Sequence, residues 1–588
     1  MVVTDHNNAG TGRLQRRRLF LVLVCAGLWT GLLLGRLVHL QVVLHDDLIE
    51  RARLQQEYEV VIPAMRGNIL ARDGSLLASS IEETSIYVHP HLLDDREAAP
   101  EILAPALRMS VEEVARLVNQ DNHLVYLRRY APPEIVSAVE TVKREHGLHL
   151  SVGMHPANRR YYPNRQLAAH VLGFVDSENQ GAAGIEYRFN DAIRGQDGRW
   201  LTLKDGGQNP IDPDGFFRED PTPGHDIYLT IHPLIQRAAE TTLEQVVRER
   251  GAEGAAAVVM DPRTGEVLAL ASYPTFNPNV HDQALVDLSS RNSALNTVYE
   301  PGSTFKIFTA AAGFRDGIVF EDELIDCQGG VLRVANHTYH DWKSGFGIMP
   351  FSKVVANSSN VGMIKVGLRL QPERFYEWLR AFGFGEVTGI GLPGEASGIL
   401  RPTSRWSALS QSSMIIGQEI GVTPLQLATA VSAVANGGLL MQPYVVSEIR
   451  DAAGNVQFEH QPTVRHRVLD EVTAARVMNV LEGVINPDSV TGRAAGIRGY
   501  RLAGKTGTAQ KIGPDGLYSQ YVSSFIGILP ASAPELVILV VIDAPDKRKG
   551  YYGSEVAAPA FRTIAETAVR VLRLAPDAVA APVQIIGS

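Results

Sequence analysis

The stretch Glu300-Pro301-Gly302-Ser303-Thr304-Phe305-Lys306 decides the fold of the larger part of the chain. Its proline and glycine end any regular secondary structure that precedes them. The apolar residues that follow predict a helix over Thr304–Phe314. Ser303 then lies at the helix N-terminus, and Lys306 follows on the same helical face. A serine hydroxyl needs a neighbouring base to act as a nucleophile, and a desolvated lysine can provide one. The same pattern also fits an N-cap serine beside a solvated lysine.

A second polar stretch, Ser358-Ser359-Asn360, lies further along the chain between two apolar segments. These surroundings predict a loop between helices, in which Ser358 and Asn360 can both point into a cleft. One side chain would supply a hydroxyl and the other an amide. Taken alone, the stretch fits a polar loop or a helix cap equally well.

The third stretch is Lys505-Thr506-Gly507-Thr508. It is predicted to lie on a strand, because Tyr500–Ala503 and Ser523–Leu529 favour neighbouring strands. Gly507 has no side chain, so another backbone can approach it closely. The lysine and the threonines would supply positive charge and hydroxyl groups for a carboxylate. An edge strand with a solvated lysine is the alternative.

Residues 19–44 predict a membrane anchor. Leu19–Gly35 is apolar and uncharged, and Arg36 can snorkel so that the helix continues through Leu37–Leu44. No clear small-residue cleavage site follows, which favours an uncleaved anchor over a signal peptide. The arginines of the first eighteen residues keep the amino end in the cytoplasm, so everything after about residue 45 lies outside.

Composition and charge exclude several classes of protein. A length of 588 residues favours two or three domains, and a net charge of −9 gives no indication of nucleic-acid binding. The two cysteines are far apart and predict neither a disulfide nor a zinc site. His337-x-x-His340-Asp341 contains three potential metal ligands, but its β-prone and glycine-rich surroundings favour a structural loop over zinc. We therefore expect no zinc site in either place.

The segment behind the anchor predicts a mixed α+β module without reactive groups. Residues 46–58 favour a helix, Asp73-Gly74 favours a hairpin turn, and 98–146 favour short amphipathic helices with a capped start at Ser110. A turn at Asp212–Gly215 comes before the domain boundary.

The boundary itself is predicted at the breaker-rich linker Pro221–His225. Beyond it, a strand over Asp226–Ile231 and a helix over Pro233–Glu249 are expected. A hairpin of the strands Ala255–Met260 and Glu266–Ser272 should then come before the serine helix.

In this order, Ser303-x-x-Lys306, Ser358-x-Asn360 and Lys505-Thr506-Gly507 form a highly specific set. The chain resembles the class B penicillin-binding proteins, the monofunctional transpeptidases of bacterial cell-wall synthesis. The resemblance covers almost the whole chain. It is also carried by four further segments: Arg66-Gly67 with Asp73-Gly74, Gly184-Ile185-Glu186, Val422–Ala428 and Tyr551-Tyr552-Gly553. Asparagine at position 360 resembles the division-specific (FtsI-type) branch, whereas the elongation-specific branch usually carries aspartate there.

The resemblance implies an α+β fold in five parts. They are a cytoplasmic tail (1–18), the anchor (19–44), a mixed α+β, dimerisation-like pedestal (45–220), a penicillin-binding transpeptidase domain (221–575) and a flexible tail (576–588). The transpeptidase domain should contain an antiparallel sheet flanked by helices, as in β-lactamases.

The resemblance also implies a role for each site residue. Ser303 attacks the carbonyl between the terminal D-alanines of a peptidoglycan stem peptide, Lys306 is the general base, and Ser358 passes the proton to the leaving D-alanine. Asn360 holds the substrate amide and fixes Lys306. The substrate carboxylate is bound by the third stretch, namely Lys505, Thr506, Gly507 and Thr508. The backbone N–H groups of Ser303 and Thr508 form the oxyanion hole. The mechanism that the resemblance implies needs no metal and no organic cofactor.

Expected partners are peptidoglycan stem peptides, β-lactams as covalent inhibitors, the membrane, a polytopic SEDS-family glycosyltransferase and divisome proteins. The expected location is the cytoplasmic (inner) membrane, with a single span and the bulk of the chain in the periplasm. Three alternatives stay open: an elongation-specific transpeptidase, a D,D-carboxypeptidase or serine β-lactamase-like hydrolase, and a β-lactam sensor whose site only binds. The size, the anchor and the pedestal argue against the hydrolases.

Overall fold

A computed structural model describes residues 9–203, 217–280, 291–485, 492–513 and 516–578. The predicted turn at 212–215 lies outside the described residues, as do positions 1–8 and 579–588 of the two predicted tails. The chain forms two compact units, each assembled from separate segments. As far as they are described, unit 1 contains Met1–Pro63, Thr84–Pro156 and Asp197–Thr222, and unit 2 contains Ala64–Glu83, Ala157–Gln196 and Pro223–Ser588.

The α-helices of the described residues are α1 (Ala9–Val38), α2 (His45–Gln56), α3 (Ala99–Leu107), α4 (Val111–Val118), α5 (Pro133–Glu145), α6 (Ala169–Leu172), α7 (Gly184–Arg188), α8 (Asn190–Arg194), α9 (Pro233–Arg250), α10 (Ser293–Asn296), α11 (Lys306–Arg315), α12 (Phe351–Ala356), α13 (Asn360–Gly367), α14 (Pro372–Ala381), α15 (Ser410–Ile415), α16 (Pro424–Ala435), α17 (Glu471–Glu482) and α18 (Gly553–Val571).

The strands are β1 (Glu57–Ile62), β2 (Ile69–Leu70), β3 (Leu76–Val88), β4 (Val125–Ala131), β5 (Val152–Tyr161), β6 (Gly198–Leu203), β7 (Phe217–Glu219), β8 (Asp226–Leu229), β9 (Gly254–Met260), β10 (Val267–Tyr273), β11 (Leu324–Asp326), β12 (Val331–Val334), β13 (His337–His340), β14 (Ile348–Pro350), β15 (Leu439–Met441), β16 (Val446–Arg450), β17 (Val456–Glu459), β18 (Val464–Arg467), β19 (Ala503–Lys511), β20 (Gln520–Leu529) and β21 (Leu536–Asp543).

Unit 1 begins with the predicted anchor. Helix α1 runs into a short π-helical turn at His39–Val43, and the span Gln15–Val43 is long and apolar enough to cross a membrane. The apolar residues of the span are exposed to solvent, as those of a lipid-facing helix would be. The helix fits a single-pass membrane anchor, and it extends further toward the amino end than the predicted start at residue 19.

The rest of unit 1 confirms short helices within 98–146. Ser110 caps helix α4, because its hydroxyl accepts a hydrogen bond from the Glu113 N–H at 3.2 Å. Helices α3, α4 and α5 share an apolar core with strand β4, which the sequence analysis did not predict. Strand β4 begins with alternating buried and half-buried residues, as a strand with one face in the core does. The helical patterns before and after it made this short alternation hard to recognise in the sequence.

Unit 2 is built on a five-stranded antiparallel sheet in the order β10-β9-β21-β20-β19. Alternate residues of a strand point to opposite faces of the sheet. Both faces of this sheet are covered, so the inner strands are apolar on both faces. One face packs against helices α9 and α18, where Phe525 meets Phe561 with ring centroids 4.7 Å apart. The other face contributes to the core that contains α11 and α16. Strand β19, which carries Lys505, is the edge strand.

Most predicted elements around this sheet are confirmed, but the strand predicted over Tyr500–Ala503 begins only at Ala503 and runs through the third motif to Lys511. Strands β9 and β10 form the expected hairpin, and α9 follows β8 as expected. The Asp73-Gly74 turn joins β2 to β3. The serine helix begins differently from the prediction. A 3₁₀ turn over Gly302–Phe305 comes before α11, so Ser303 lies inside a tight turn rather than at the start of an α-helix.

The signature residues outside the site have structural roles in unit 2. The Glu186 carboxylate is buried between Arg66, at 2.8 Å, and Arg160, at 2.5 Å. A Cβ atom at Gly67 would lie 1.9 Å from the His225 carbonyl oxygen, so only glycine permits this approach. These residues therefore hold segment 64–83 within unit 2.

Candidate active site

The turn that carries Ser303 is fixed on two sides. Gly302 has a φ of 57°, and its N–H donates to the Gly417 carbonyl at 3.0 Å. A Cβ atom at Gly302 would lie 3.1 Å from the Thr508 carbonyl oxygen, so the turn packs directly against strand β19. Ser303 itself is half-buried. The candidate nucleophile therefore lies at the sheet edge and is partly accessible to solvent.

The Lys306 side chain is completely buried and joins the first two sequence motifs. Its Nζ donates to the Ser358 carbonyl at 2.7 Å and to Asn360 Oδ1 at 2.7 Å, and it lies 3.3 Å from Ser358 Oγ. Burial lowers the pKa of Lys306 well below its ordinary value. The positive charge of Lys505 lowers it further, and the negative charge of Asp341 opposes both.

This geometry directs the lone pair of a neutral Lys306 amine. A neutral amine has two N–H donors, and the two carbonyl oxygens at 2.7 Å use both of them. The remaining lone pair can then accept a proton from a neighbouring hydroxyl, and Ser358 Oγ is within reach. A buried amine held in this way is suited to be a general base.

Asn360 is oriented by the strand that precedes its loop. Its Nδ2 donates to the His340 carbonyl at 2.8 Å, so Oδ1 must face Lys306. Ser358 lies, as predicted, in the loop between α12 and α13, where its φ of 58° turns the chain. Ser359 caps α13 by accepting from the Gly362 N–H at 3.0 Å.

Lys505 is also completely buried, and burial lowers its pKa to about 7. Its Nζ lies 3.3 Å from the Thr506 carbonyl oxygen. Because its charge acts on the pKa of Lys306, the two amines share one electrostatic environment. The close approach of Gly302 to the Thr508 backbone brings the first and third motifs together at the edge of the sheet.

The other residues of the third motif fix strand β19 in place. A Cβ atom at Gly507 would lie 2.4 Å from Ser524 Oγ and 2.9 Å from the Pro301 carbonyl oxygen, which confirms the predicted close approach. Thr508 Oγ1 accepts from the Gly553 N–H at 3.0 Å. Thr506 is buried, with 8% of its surface exposed.

Asp341 contacts the middle motif, a connection that the sequence analysis missed. The sequence places it beside His337 and His340, but residues three apart on strand β13 point to opposite faces. The Asp341 carboxylate instead accepts bonds from Ser359 Oγ and from two backbone N–H groups of α13. Among the residues that the structure describes, no three histidine, cysteine, aspartate or glutamate side chains lie together as metal ligands would.

Glu300 and the segment Val422–Ala428 hold the chain where it enters the Ser303 turn. The Glu419 N–H donates to Glu300 Oε1 at 2.9 Å, and burial together with the Glu419 charge raises the pKa of Glu300. Thr423 and Gln426 form a capping box at the start of α16. Backbone bonds between Tyr299 and Val422 join the two segments. A role for Glu300 has no signal in the sequence alone, since it depends on Glu419.

Together, the fold and the site define an α+β protein whose serine–lysine pair lies against the edge of an antiparallel sheet. Comparisons with known proteins agree with this class. The family model described as the penicillin binding protein transpeptidase domain matches residues 255–566. The model described as the penicillin-binding protein dimerisation domain matches residues 61–229.

The chain is 33% identical to the stage V sporulation protein D of Bacillus subtilis, over 95% of this chain and 86% of that protein. It is 31% identical to the peptidoglycan D,D-transpeptidase FtsI of Escherichia coli, over 95% of this chain and 93% of that protein. A crystal structure of penicillin binding protein 3 from Mycobacterium tuberculosis complexed with aztreonam is also similar. It has a TM-score of 0.68 and 29% identity, and the match covers 88% of this chain and 98% of that chain. The chain belongs to the penicillin-binding protein transpeptidase family.

Proposed function

We propose that this chain is a peptidoglycan D,D-transpeptidase that cross-links stem peptides through an acyl-enzyme on Ser303. The observation that carries the proposal is the buried Lys306 amine, whose two donors are held by Ser358 and Asn360 while its lone pair stays available. The membership of the family and the names of its relatives agree with this activity.

The reaction proceeds in two halves. Lys306 accepts the Ser303 proton as Ser303 Oγ attacks the carbonyl between two terminal D-alanines. The oxyanion is held by the backbone N–H groups of Ser303 and Thr508, each worth about 3–4 kcal/mol in comparable enzymes. Ser358 passes the proton to the departing D-alanine. The amine of a neighbouring stem peptide then attacks the ester and gives its proton to Lys306, which returns it to Ser303 Oγ as the ester bond breaks and the new amide forms.

Binding of the donor substrate falls to the third motif. A charged Lys505, with the hydroxyls of Thr506 and Thr508, binds the terminal carboxylate, and Gly507 lets strand β19 lie close to the Ser303 turn. Asn360 holds the substrate amide. β-Lactams resemble the same D-alanyl-D-alanine unit, so they acylate Ser303 and remain attached.

Covalent labelling tests this proposal. Full-length protein in detergent is incubated with a fluorescent penicillin, and the adduct is located by mass spectrometry. We expect one adduct on Ser303, none in Ser303→Ala, and a wild-type rate in Ser352→Ala, a serine of helix α12. Labelling of Ser303→Ala at the wild-type rate would overturn the assignment of the nucleophile.

The fate of the adduct separates the transpeptidase from a hydrolase. We expect slow release of the penicilloyl group, and transfer of a D-alanyl-D-alanine donor peptide to an added amine acceptor. Rapid steady-state penicillin hydrolysis without transfer would instead identify a serine β-lactamase-like enzyme or a carboxypeptidase.

The role in the cell is septal synthesis, supported by Asn360 and by the FtsI relative, although the sporulation relative is similar to the same degree. A fluorescent fusion is expected at midcell in dividing cells. A patchy distribution along the side wall would support the elongation-specific alternative.

We further propose that the anchor lies in the cytoplasmic membrane, with the amino end inside because of the arginines before residue 19. The anchor and pedestal contact a polytopic SEDS-family glycosyltransferase, together with divisome proteins. Co-purification of that glycosyltransferase should be lost when residues 1–60 are deleted. Retention would show that the anchor is not the main contact.

A further inference from the structure

Asp341 follows strand β13 and faces the start of helix α13, in the same unit as the candidate site. Its Oδ1 accepts from the Asn360 N–H at 2.5 Å and the Val361 N–H at 3.1 Å. Its Oδ2 accepts from Ser359 Oγ at 2.9 Å. One carboxylate therefore holds three donors that belong to consecutive residues.

The position of the carboxylate is itself fixed. The Asp341 N–H donates to the Gly330 carbonyl at 2.9 Å, and Gly330 adopts a φ of 89° that only glycine takes readily. The neighbouring His340 carbonyl accepts from Asn360 Nδ2. The last residue of β13 and the residue after it thus bind the side chain and the backbone of Asn360.

We infer that Asp341 is a positioning residue for the acylation of Ser303: it holds the first turn of helix α13 so that the Asn360 amide oxygen faces the Lys306 amine. Without this carboxylate, the backbone N–H groups of Asn360 and Val361 lose their acceptor. The first turn of α13 would then be free to shift relative to Lys306. The inference rests on the proposed function, because it concerns the base of the same reaction.

A carboxylate in this place also acts on the base through its charge. Two charged groups act on Lys306: Lys505 from strand β19 lowers its pKa, and Asp341 from the loop after β13 raises it. Ser358 and Asn360 face the amine from the middle motif and are uncharged. Loss of the Asp341 charge should therefore lower the pKa of Lys306 further, an effect that loss of packing alone would not produce.

The test compares full-length Asp341→Asn, Asp341→Ala and Ser359→Ala with wild type, by the second-order rate of acylation by a chromogenic cephalosporin between pH 5 and 9. We expect a loss of about 10-fold in Asp341→Asn and about 100-fold in Asp341→Ala. The pH at which acylation falls on the acid side should be lower in Asp341→Asn than in wild type. Ser359→Ala keeps the carboxylate. We therefore expect a smaller loss of acylation rate in this variant, and the rate should fall on the acid side at the same pH as in wild type. Asp326→Asn, an exposed acid on β11, is the matched control and should behave as wild type.

Amide hydrogen exchange over residues 358–364 gives a readout that needs no activity. Faster exchange at Asn360 and Val361 in Asp341→Asn, with unchanged exchange in Asp326→Asn, supports the inference. Unchanged exchange in Asp341→Asn overturns the inference. So does an acylation rate within twofold of wild type that falls on the acid side at the wild-type pH. If wild type itself is not acylated at Ser303, the proposed function fails, and hydrogen exchange alone then decides whether Asp341 positions the helix.

Discussion

At the scale of single residues, two buried lysines of unequal environment dominate the site. Burial lowers the pKa of Lys505 to about 7, and burial together with the Lys505 charge lowers the pKa of Lys306 well below its ordinary value. Both effects favour the neutral form of Lys306, whereas part of Lys505 is still charged near pH 7. Two amines of one site can thus serve as a base and as a cation in the same pH range.

The titration of Lys505 predicts the alkaline side of the pH profile. In the free enzyme its charge is present below about pH 7 and is lost as the pH rises through that value. The second-order rate of β-lactam acylation should fall correspondingly. In Lys505→Arg the guanidinium stays charged, so the alkaline fall should disappear up to pH 9, although the maximal rate is lower because the two groups differ in shape. Lys511→Arg, on the same strand, should keep the wild-type profile.

The contact between strand β19 and the Ser303 turn can be tested by adding a methyl group at Gly507. The Cβ of Gly507→Ala would lie 2.4 Å from Ser524 Oγ and 2.9 Å from the Pro301 carbonyl oxygen, so the strand and the turn must separate. We expect the acylation rate to fall by about 100-fold, since a displacement of about 1 Å can have this effect. Gly347→Ala, where a Cβ meets nothing within 4 Å, is the control. Equal rates in the two variants would show that the close approach is not needed.

At the scale of secondary-structure elements, helix α9 contains a buried carboxyl group with an unusual titration. Glu240 Oε1 accepts from the Ala168 N–H at 2.8 Å and from Gln236 Nε2 at 2.7 Å. Gln236 in turn bonds both backbone groups of Leu270 on strand β10. Burial raises the pKa of Glu240 from 4.5 to about 7. This small network joins the helix to the sheet and to segment 157–196.

The raised pKa predicts how the stability of unit 2 changes with pH. Because the folded pKa exceeds the unfolded one, the stabilisation is fully present below pH 4.5 and is lost as the pH rises through about 7. The difference corresponds to ~3 kcal/mol. Melting temperatures at pH 5 and 8 should therefore differ more for wild type than for Glu240→Gln. Glu249→Gln, an exposed position on the same helix, should follow wild type, and a wild-type pH response in Glu240→Gln would contradict the assignment.

How far the sequence predicts the elements depends on how local each signal is. The Ser110 cap, the Asp73-Gly74 turn and the β9–β10 hairpin rest on neighbouring residues, and each is confirmed. Strand β4 and the 3₁₀ start of the serine helix were missed, because packing against distant elements decides both. The contact of Asp341 with Ser359 likewise joins two elements, so a local pattern of histidines and an aspartate could not indicate it.

For the whole molecule, the predicted anchor and the site lie in different units of the chain. We expect a chain that lacks residues 1–44, exported with a cleavable signal peptide, to be released from membranes. It should keep an acylation rate within about twofold of wild type, since the candidate site residues all belong to unit 2. Retention of the truncated chain in the membrane pellet would show that a second segment binds the membrane.

The interleaved segments also determine the order in which the exported chain can fold. Asn68 donates to Asp226 Oδ1 at 2.6 Å across 158 residues, and β2 pairs in parallel with β8. In the proposed orientation, β2 can pair with β3 early during translocation, but its other side stays unpaired until β8, made much later, has emerged. Such long-range pairing is slow and exposes strand edges, so we expect biogenesis of this protein to depend most on chaperones at the side of the membrane where unit 2 folds.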